Sequence, residues 1–504
     1  MKSEPVDLLV IGGGVNGTGI ARDAAGRGLS VLLAERGDLA GATSSAATKL
    51  IHGGLRYLEH YEFRLVREAL GEREVLMKMA PHIIWPLRFV LPHHPGLRPA
   101  WMIRIGLFLY DHLAGRQTLP GSIGVSLDKS DPRGKPLKDE FKRGFEYSDC
   151  WVDDSRLVVL NAMDARRMGA QIFTRTAVTA AKREADLWHV TLTDQYTGAS
   201  RDVTARGIVN AGGPWVRETL TGAFSQTPKN GVRLIKGSHI VTKKLFDGDH
   251  CYIFQNADNR IIFAIPYERD FTLIGTTDVQ LDKLDGPPQI SAEETDYLLN
   301  AASEYFQQPV TRDQIVWAYA GVRPLYDDGD SDPSAITRDY VLDLDPGKPM
   351  LLSIYGGKLT TYRRLSEQAM QKIAPFYPQL GPSWSGGKPL PGGEINAASF
   401  DDFIAGLRRE YPALDPTWLT RIAHRHGSAL RVILGDAKSM ADLGESFGGG
   451  LYAREVDYLM RHEWAREADD VLWRRTKCGL WATAAERERL AQWMAQNKPN
   501  VEAQ

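Results

Sequence analysis

Cysteine is scarce in this chain. Its 504 residues hold only Cys150, Cys251 and Cys478, far apart and in no Cys-x-x-Cys pair. That excludes a disulfide framework and a thiolate metal cluster, and it suits a reducing compartment, so the cytosolic side is the expected location. Long apolar runs are missing as well. None reaches the ~20 apolar residues of a membrane span. The closest, residues 101–110, is short and interrupted by Arg104, so any membrane contact is expected to be peripheral. The first apolar run, residues 6–11, stops at three glycines and reads as a strand rather than a signal peptide. Neither sign of charge dominates: 61 basic and 63 acidic side chains leave a net charge of −2, which removes the global electrostatic case for nucleic acid. Internal repeats and long low-complexity tracts are absent too. Length alone predicts two or three domains.

What is present starts with glycine. The run VDLLVIGGGVNG (residues 6–17), followed by an apolar run that closes on Glu35, describes a βαβ unit built for a dinucleotide. Gly12 permits the tight turn, Gly14 lets the backbone approach a pyrophosphate, and Gly17 lets the helix pack closely on the strand. Free N–H groups and the dipole at that helix N-terminus favour an anion. Asn16 is a further candidate contact, and Glu35 is placed to accept from ribose hydroxyls. The strand-then-glycine pattern recurs twice, ending at Ala211-Gly212 and at Gly356-Gly357. Ligands in open α/β sheets gather at the carboxyl ends of strands, so three such stops can converge on one long cofactor, FAD rather than NAD.

Between the second and third stops, residues 232–242, 252–266 and 271–279 are β-branched and aromatic, as expected of an antiparallel sheet that roofs the cofactor. Beyond the Pro/Gly hinge at 389–393 the texture turns to helical periodicity at 401–409, 418–426, 454–468 and 484–497. The expected fold class is therefore α/β plus α+β: a Rossmann-like FAD-binding domain, an inserted antiparallel-sheet substrate domain and a C-terminal helical domain. The FAD-binding domain takes residues 1–80, 146–230 and 346–388, with an insertion at 81–145 that belongs partly to the substrate region or an interface. The roof takes 231–345 and the helical domain 389–504.

The stretch ATSSAATKLIHGGLRYLE (residues 42–59) is more specific than a generic flavin fold. It resembles the aerobic, FAD-dependent glycerol-3-phosphate dehydrogenases of bacteria, relatives of the mitochondrial enzyme. Further matches are FEYSDCWVDD (145–154), LIKGSHI (234–240), IGTTD (274–278), GVRP (321–324), ITRDY (336–340), GGKLTT (356–361) and DVLWRRTK (470–477). The resemblance covers essentially the whole chain. It implies oxidation of glycerol 3-phosphate, electrons passed to a membrane quinone such as ubiquinone, peripheral attachment to the cytoplasmic face of the inner membrane, and a homodimer. It also tips Thr43, Ser44, Ser45, Lys49, Gly53, Leu359 and Thr360 toward cofactor contact, where the plain reading of such residues is a polar loop or helix-end chemistry.

The reaction needs a clamp on the phosphate, a proton acceptor for the C2 hydroxyl and a hydride acceptor. Arg56, Arg323, Arg338 and Lys358 are the candidate clamp, because a guanidinium fork matches phosphate oxygens; Tyr57 and Thr276 can add hydroxyls. His239 and His52 are the two candidate bases. Lys358 can instead stabilise an anionic reduced flavin. No metal site is expected. Three segments mix aromatic and cationic residues as a headgroup-level surface would: 97–110, 464–481 with Arg474, Arg475 and Lys477, and the helix from Leu359 with Arg363, Arg364 and Lys372. The rival readings are an oxidase of the same fold that uses oxygen, an amine oxidase, which needs no phosphate clamp, and a flavin-bound RNA-modification or scaffold protein.

Overall fold

The computed structural model describes residues 4–114, 118–256, 258, 260–327 and 339–499. Leu8, Leu9 and Val10 are fully buried, which explains why the first strand reads as an unbroken apolar run: both faces of a parallel sheet are covered. That strand, Val6–Ile11, lies at the heart of an eight-stranded sheet. Its parallel neighbours are Val31–Ala34 on one side, which continues to Gln171–Phe173, and Ser200–Asn210 on the other, which continues to Met350–Tyr355. Val341–Asp345 closes this edge in antiparallel pairing, and Leu187–Asp194 with Thr176–Glu184 form a meander on Ser200–Asn210. The three strands that stop at glycine are thus adjacent, and their carboxyl ends lie side by side. The helix Val15–Gly26 packs against the helices Asp154–Arg167 and Tyr362–Ile373.

A second sheet of ten strands forms the roof. Gly231–Lys243 is its axis, paired antiparallel with Ile315–Asp327, Val279–Leu281 and Phe271–Gly275. Ile261–Tyr267 and Cys251–Gln255 follow, and then Ile84–His93 and Arg143–Val152. Ile84–His93 lies in the insertion expected to belong partly to the substrate region, whereas the sequence-based boundary between insertion and FAD-binding domain at 145/146 falls inside the strand Arg143–Val152. Buried polar pairs hide the strand's apolar pattern: Arg88 binds Glu146, and Arg73 donates to Asp149 at 2.6 Å. Val341–Asp345, assigned to the roof by the same partition, instead edges the first sheet.

The C-terminal part is helical: Phe400–Glu410, Pro416–His426, Leu430–Leu434, Ala453–His462 and Ala484–Gln496. The Ser399, Asp415 and Thr483 side chains accept from backbone N–H groups of the first turn at three of the starts. Its apolar faces share one core with the nucleotide sheet, running from Leu8 and Ile20 to Leu419 and Leu459. Among the described residues no helix is long and apolar enough to cross a membrane.

Candidate active site

Between the two sheets lies a cavity of about 1520 Å³, large enough for a dinucleotide and a small substrate together. Its floor is the row of glycine stops. Gly12 has φ +109°, and a Cβ there would sit 2.5 Å from the Ala211 carbonyl oxygen, so only glycine makes the turn. Gly17 is not in the cavity wall: a Cβ there would come within 1.9 Å of the Gly12 carbonyl oxygen, so its role is helix-on-strand packing. Gly14, Asn16, Ala211, Gly212, Gly357, Leu359 and Thr360 all line the cavity. The Asn16 Nδ2 donates to the Gly356 carbonyl at 3.1 Å, tying the first and last glycine stops together across 340 positions. Its Oδ1 is buried without a partner among the described residues, an acceptor open to a ligand hydroxyl.

Glu35 faces the same space. Its two carboxylate oxygens accept from the Gly13 and Gly37 amides, each at 2.6 Å, which shapes the loop that follows the second strand. Burial raises its pKa against the pull of those two N–H groups. Thr43 and Ser44 line the cavity, and the Ser44 hydroxyl accepts from the Val15 amide at 3.0 Å, at the helix N-terminus. Glycines that admit close backbone approach, a helix N-terminus, an acidic group at the second strand and an acceptor without a partner together fit a flavin adenine dinucleotide.

Three sequence-based expectations for cofactor contact do not hold as stated. Lys49 is completely buried; its ammonium donates to Asp154 at 2.7 Å and to the Ser45 carbonyl at 2.6 Å, and lies 4.8 Å over the Tyr319 ring. An ammonium so enclosed is spent on the interior. Ser45 is likewise absent from the cavity wall, its hydroxyl donating to the Ala42 carbonyl at 3.2 Å. Gly53 sits behind the wall, its amide donating to the Tyr110 hydroxyl at 2.8 Å. Arg338 lies outside the described residues.

At the other end the roof strands bring the expected chemistry together. Arg56, Tyr57, His52, His239, Thr276, Arg323 and Lys358 all line the cavity. The Lys358 ammonium lies 4.2 Å over the Tyr57 ring. Arg323, opposite Ile235 in the register, donates to Asp278 and to the Thr277 carbonyl at 3.0 Å. Thr276 donates to that same carbonyl at 3.2 Å. His239 stacks on Tyr319 with centroids 4.8 Å apart, and its Nε2 shares a hydrogen bond with the Thr48 hydroxyl at 3.0 Å. A Cβ on Gly275 would meet the imidazole at 2.1 Å, so the neighbouring strand must carry glycine there. Burial, then the positive charges of Lys49 and Arg323, hold the His239 pKa well below its ordinary value. Burial also lowers that of His52, with Asp149 opposing and Lys358 assisting. Both imidazoles are therefore neutral.

Arg36, Arg233, Arg175 and Asp278 also line the cavity and were not singled out from sequence, and Arg474, expected at a lipid surface, lines it too. Asp278 stood in a quoted motif and Arg36 directly follows Glu35, but an arginine in a strand or loop carries no local sign of which way it faces. In two of the three segments expected at a lipid surface, cations named there turn to internal partners, although Lys372 stays exposed. In 464–481, Arg475 is fully buried on Asp38, Arg474 binds Asp38 and Asp470, and Lys477 donates to Ser155 at 2.9 Å. In the helix Tyr362–Ile373, Arg363 is buried between Glu72 and Glu367. Only the helix Ala100–His112 keeps a large apolar face exposed.

The family model described as FAD dependent oxidoreductase matches residues 7–363, and the one described as the C-terminal domain of alpha-glycerophosphate oxidase matches residues 385–499. The aerobic glycerol-3-phosphate dehydrogenase of Escherichia coli (strain K12) is 54% identical, with 98% of each chain covered. The D-erythritol 1-phosphate dehydrogenase of Brucella abortus (strain 2308) is 50% identical, again with 98% of each covered. Among solved structures, the glycerol-3-phosphate dehydrogenase from Bacillus halodurans complexed with FAD matches with a TM-score of 0.76 at 26% identity, covering 98% of this chain and 95% of that one. With a family model over most of its length and relatives matched nearly throughout, this chain belongs to the FAD-dependent oxidoreductases and, within them, to the aerobic glycerol-3-phosphate dehydrogenase family.

Proposed function

We propose that this chain oxidises sn-glycerol 3-phosphate to dihydroxyacetone phosphate and passes the electrons to a membrane quinone. One observation carries the reading: a single cavity joins a dinucleotide cradle to a cluster of cations beside a buried, neutral imidazole. FAD, when bound, supplies the acceptor for the hydride from C2. Arg323, Arg56 and Lys358 grip the phosphate, with Tyr57 and Thr276 as hydroxyl donors. Asp278 keeps the Arg323 fork oriented before substrate arrives. His239 accepts the proton of the C2 hydroxyl, its ring fixed by Tyr319 and Thr48 so that little reorganisation remains for the chemical step. His52 is the alternative base.

Quinones reside in the bilayer, so reoxidation calls for a lipid-facing surface. The helix Ala100–His112 exposes Trp101 (64%), Ile105 (52%) and Phe108 (58%) along one side, and Tyr61 (80%) lies on the neighbouring loop. This helix packs against the short helix Leu55–His60, which carries Arg56 and Tyr57 into the cavity. Peripheral attachment on the cytoplasmic face through this surface puts the active site close to the headgroups.

The test is anaerobic addition of glycerol 3-phosphate to the purified yellow protein, followed by separate exposure to a quinone analogue and to oxygen. The expected result is bleaching of the flavin, with fast recovery by quinone only. Fast recovery by oxygen would make the chain an oxidase. Faster bleaching by erythritol phosphate than by glycerol 3-phosphate would move the substrate to the longer polyol, as in the Brucella relative.

A further inference from the structure

The far end of the cavity, away from His239, is closed by residues from opposite ends of the chain. Beyond Glu35 the loop runs through Asp38, which lines the cavity although its side chain is almost wholly buried. Asp38 Oδ2 accepts from Arg474 Nε at 2.5 Å and Arg475 Nη1 at 2.6 Å, and its Oδ1 from Arg475 Nη2 at 2.7 Å. Both arginines belong to the wide helical turn Asp470–Arg475 of the C-terminal helical domain. Arg475 has no exposure to solvent, and its Nε and Nη2 also donate to the Glu463 carbonyl at 3.0 and 2.6 Å.

A second strut reaches the same loop. Asp470, also fully buried, accepts from Arg175 Nη2 at 2.8 and 3.0 Å, and from the Arg466 and Glu467 amides at 2.8 and 3.0 Å. The Arg175 amide in turn donates to the Gly37 carbonyl, and the Thr176 amide to the Glu35 carbonyl, each at 2.8 Å. The loop that shapes the Glu35 end of the cradle is therefore braced by the helical domain directly, through Asp38, and indirectly, through Arg175. Buried charges of this kind tolerate little displacement, because moving one partner leaves the other without compensation in a low-dielectric surrounding.

We infer that the C-terminal helical domain is part of the cofactor-binding apparatus, with Asp38 and Arg475 as a positioning pair that sets how tightly the dinucleotide is retained. This rests on the cavity being the FAD site and is independent of which polyol phosphate is oxidised.

The experiment follows FAD release from the holoenzyme after dilution, by the rise of free-flavin fluorescence, in the parent and in Arg475→Met, Arg475→Lys and Asp38→Asn. Arg425→Lys is the control, since Arg425 pairs with Glu455 inside the helical domain. Release about tenfold faster or more is expected for Arg475→Met and Asp38→Asn, because a buried fork contact is lost, with Arg475→Lys intermediate and the control like the parent. The KM for glycerol 3-phosphate and the turnover per bound flavin, measured at saturating FAD, separate loss of cofactor from damage at the reacting end. Parent-like release in Asp38→Asn and Arg475→Lys overturns the inference. So does equal acceleration in Arg425→Lys, which would mark mere loosening of the helical domain. Should Arg475→Met fail to fold, the other two variants decide. A parent protein that binds no flavin at all would instead count against the cavity as the FAD site.

Discussion

Arg323 enters the cavity already engaged, held by Asp278 and the Thr277 carbonyl. Substrate phosphate would therefore meet an oriented fork, and truncation removes both charge and geometry. Arg323→Ala is expected to lower kcat/KM for glycerol 3-phosphate by roughly a hundredfold, the scale of a lost charge-assisted contact of about 2–3 kcal/mol, measured as the rate of flavin bleaching against substrate concentration. As the proposed base, His239 would set the pH response. Its folded pKa lies below the ordinary imidazole value, so the neutral base persists as pH falls through 6.5. The acid limb of kcat/KM should appear only well below that point, and His239→Gln should lower kcat by roughly 10²–10⁴ with FAD still bound. Parent-like turnover in that variant would transfer the base role to His52. Lys49 shows what sequence could not give at this level. A lysine six residues after Thr43, in a loop that skirts a nucleotide, has the same local signature whether its ammonium turns to a pyrophosphate or, as here, to the interior carboxylate of Asp154.

Secondary structure was most legible where one strand or helix answers to one local pattern. The βαβ opening, the roof strands around Gly231–Lys243 and the helices Phe400–Glu410, Pro416–His426 and Ala484–Gln496 fall close to where periodicity and glycine punctuation put them. The strand Arg143–Val152 was misplaced because its polar side chains are satisfied by distant arginines, a pairing that local alternation does not encode. The aromatic and basic segments posed the same difficulty: a helix with tryptophan and arginine looks alike whether it meets lipid headgroups or buried carboxylates. Exposure separates them, and it leaves the helix Ala100–His112. A Trp101→Ser, Phe108→Ser double variant is expected to reduce binding to anionic vesicles by about tenfold or more, since each aromatic is worth on the order of 1–3 kcal/mol when buried. Anaerobic bleaching by glycerol 3-phosphate should be unaffected. Unchanged co-sedimentation with vesicles would remove this helix from the membrane surface.

Four histidines of the insertion, the roof and the helical domain are kept in neutral form by burial. His82 and His239 are held well below the ordinary value, chiefly by burial, and burial brings His250 and His424 to about 4. An unfolded chain takes up protons at these positions near pH 6.5, whereas the folded chain does not, so stability is present above that pH and is lost as pH falls below it. The Tm should drop continuously between pH 6.5 and 4, as read by scanning calorimetry with FAD in excess; a flat Tm over that window would show that these imidazoles titrate normally in the folded state.

The three glycine-stopped strands are neighbours in space but start at positions 6, 200 and 350, and the brace on Asp38 comes from residues 474 and 475. A ribosome making this chain must therefore pass residue 475 before the cradle's last wall exists. A message cut short between residues 357 and 474 would encode all three glycine stops without the arginines that brace Asp38.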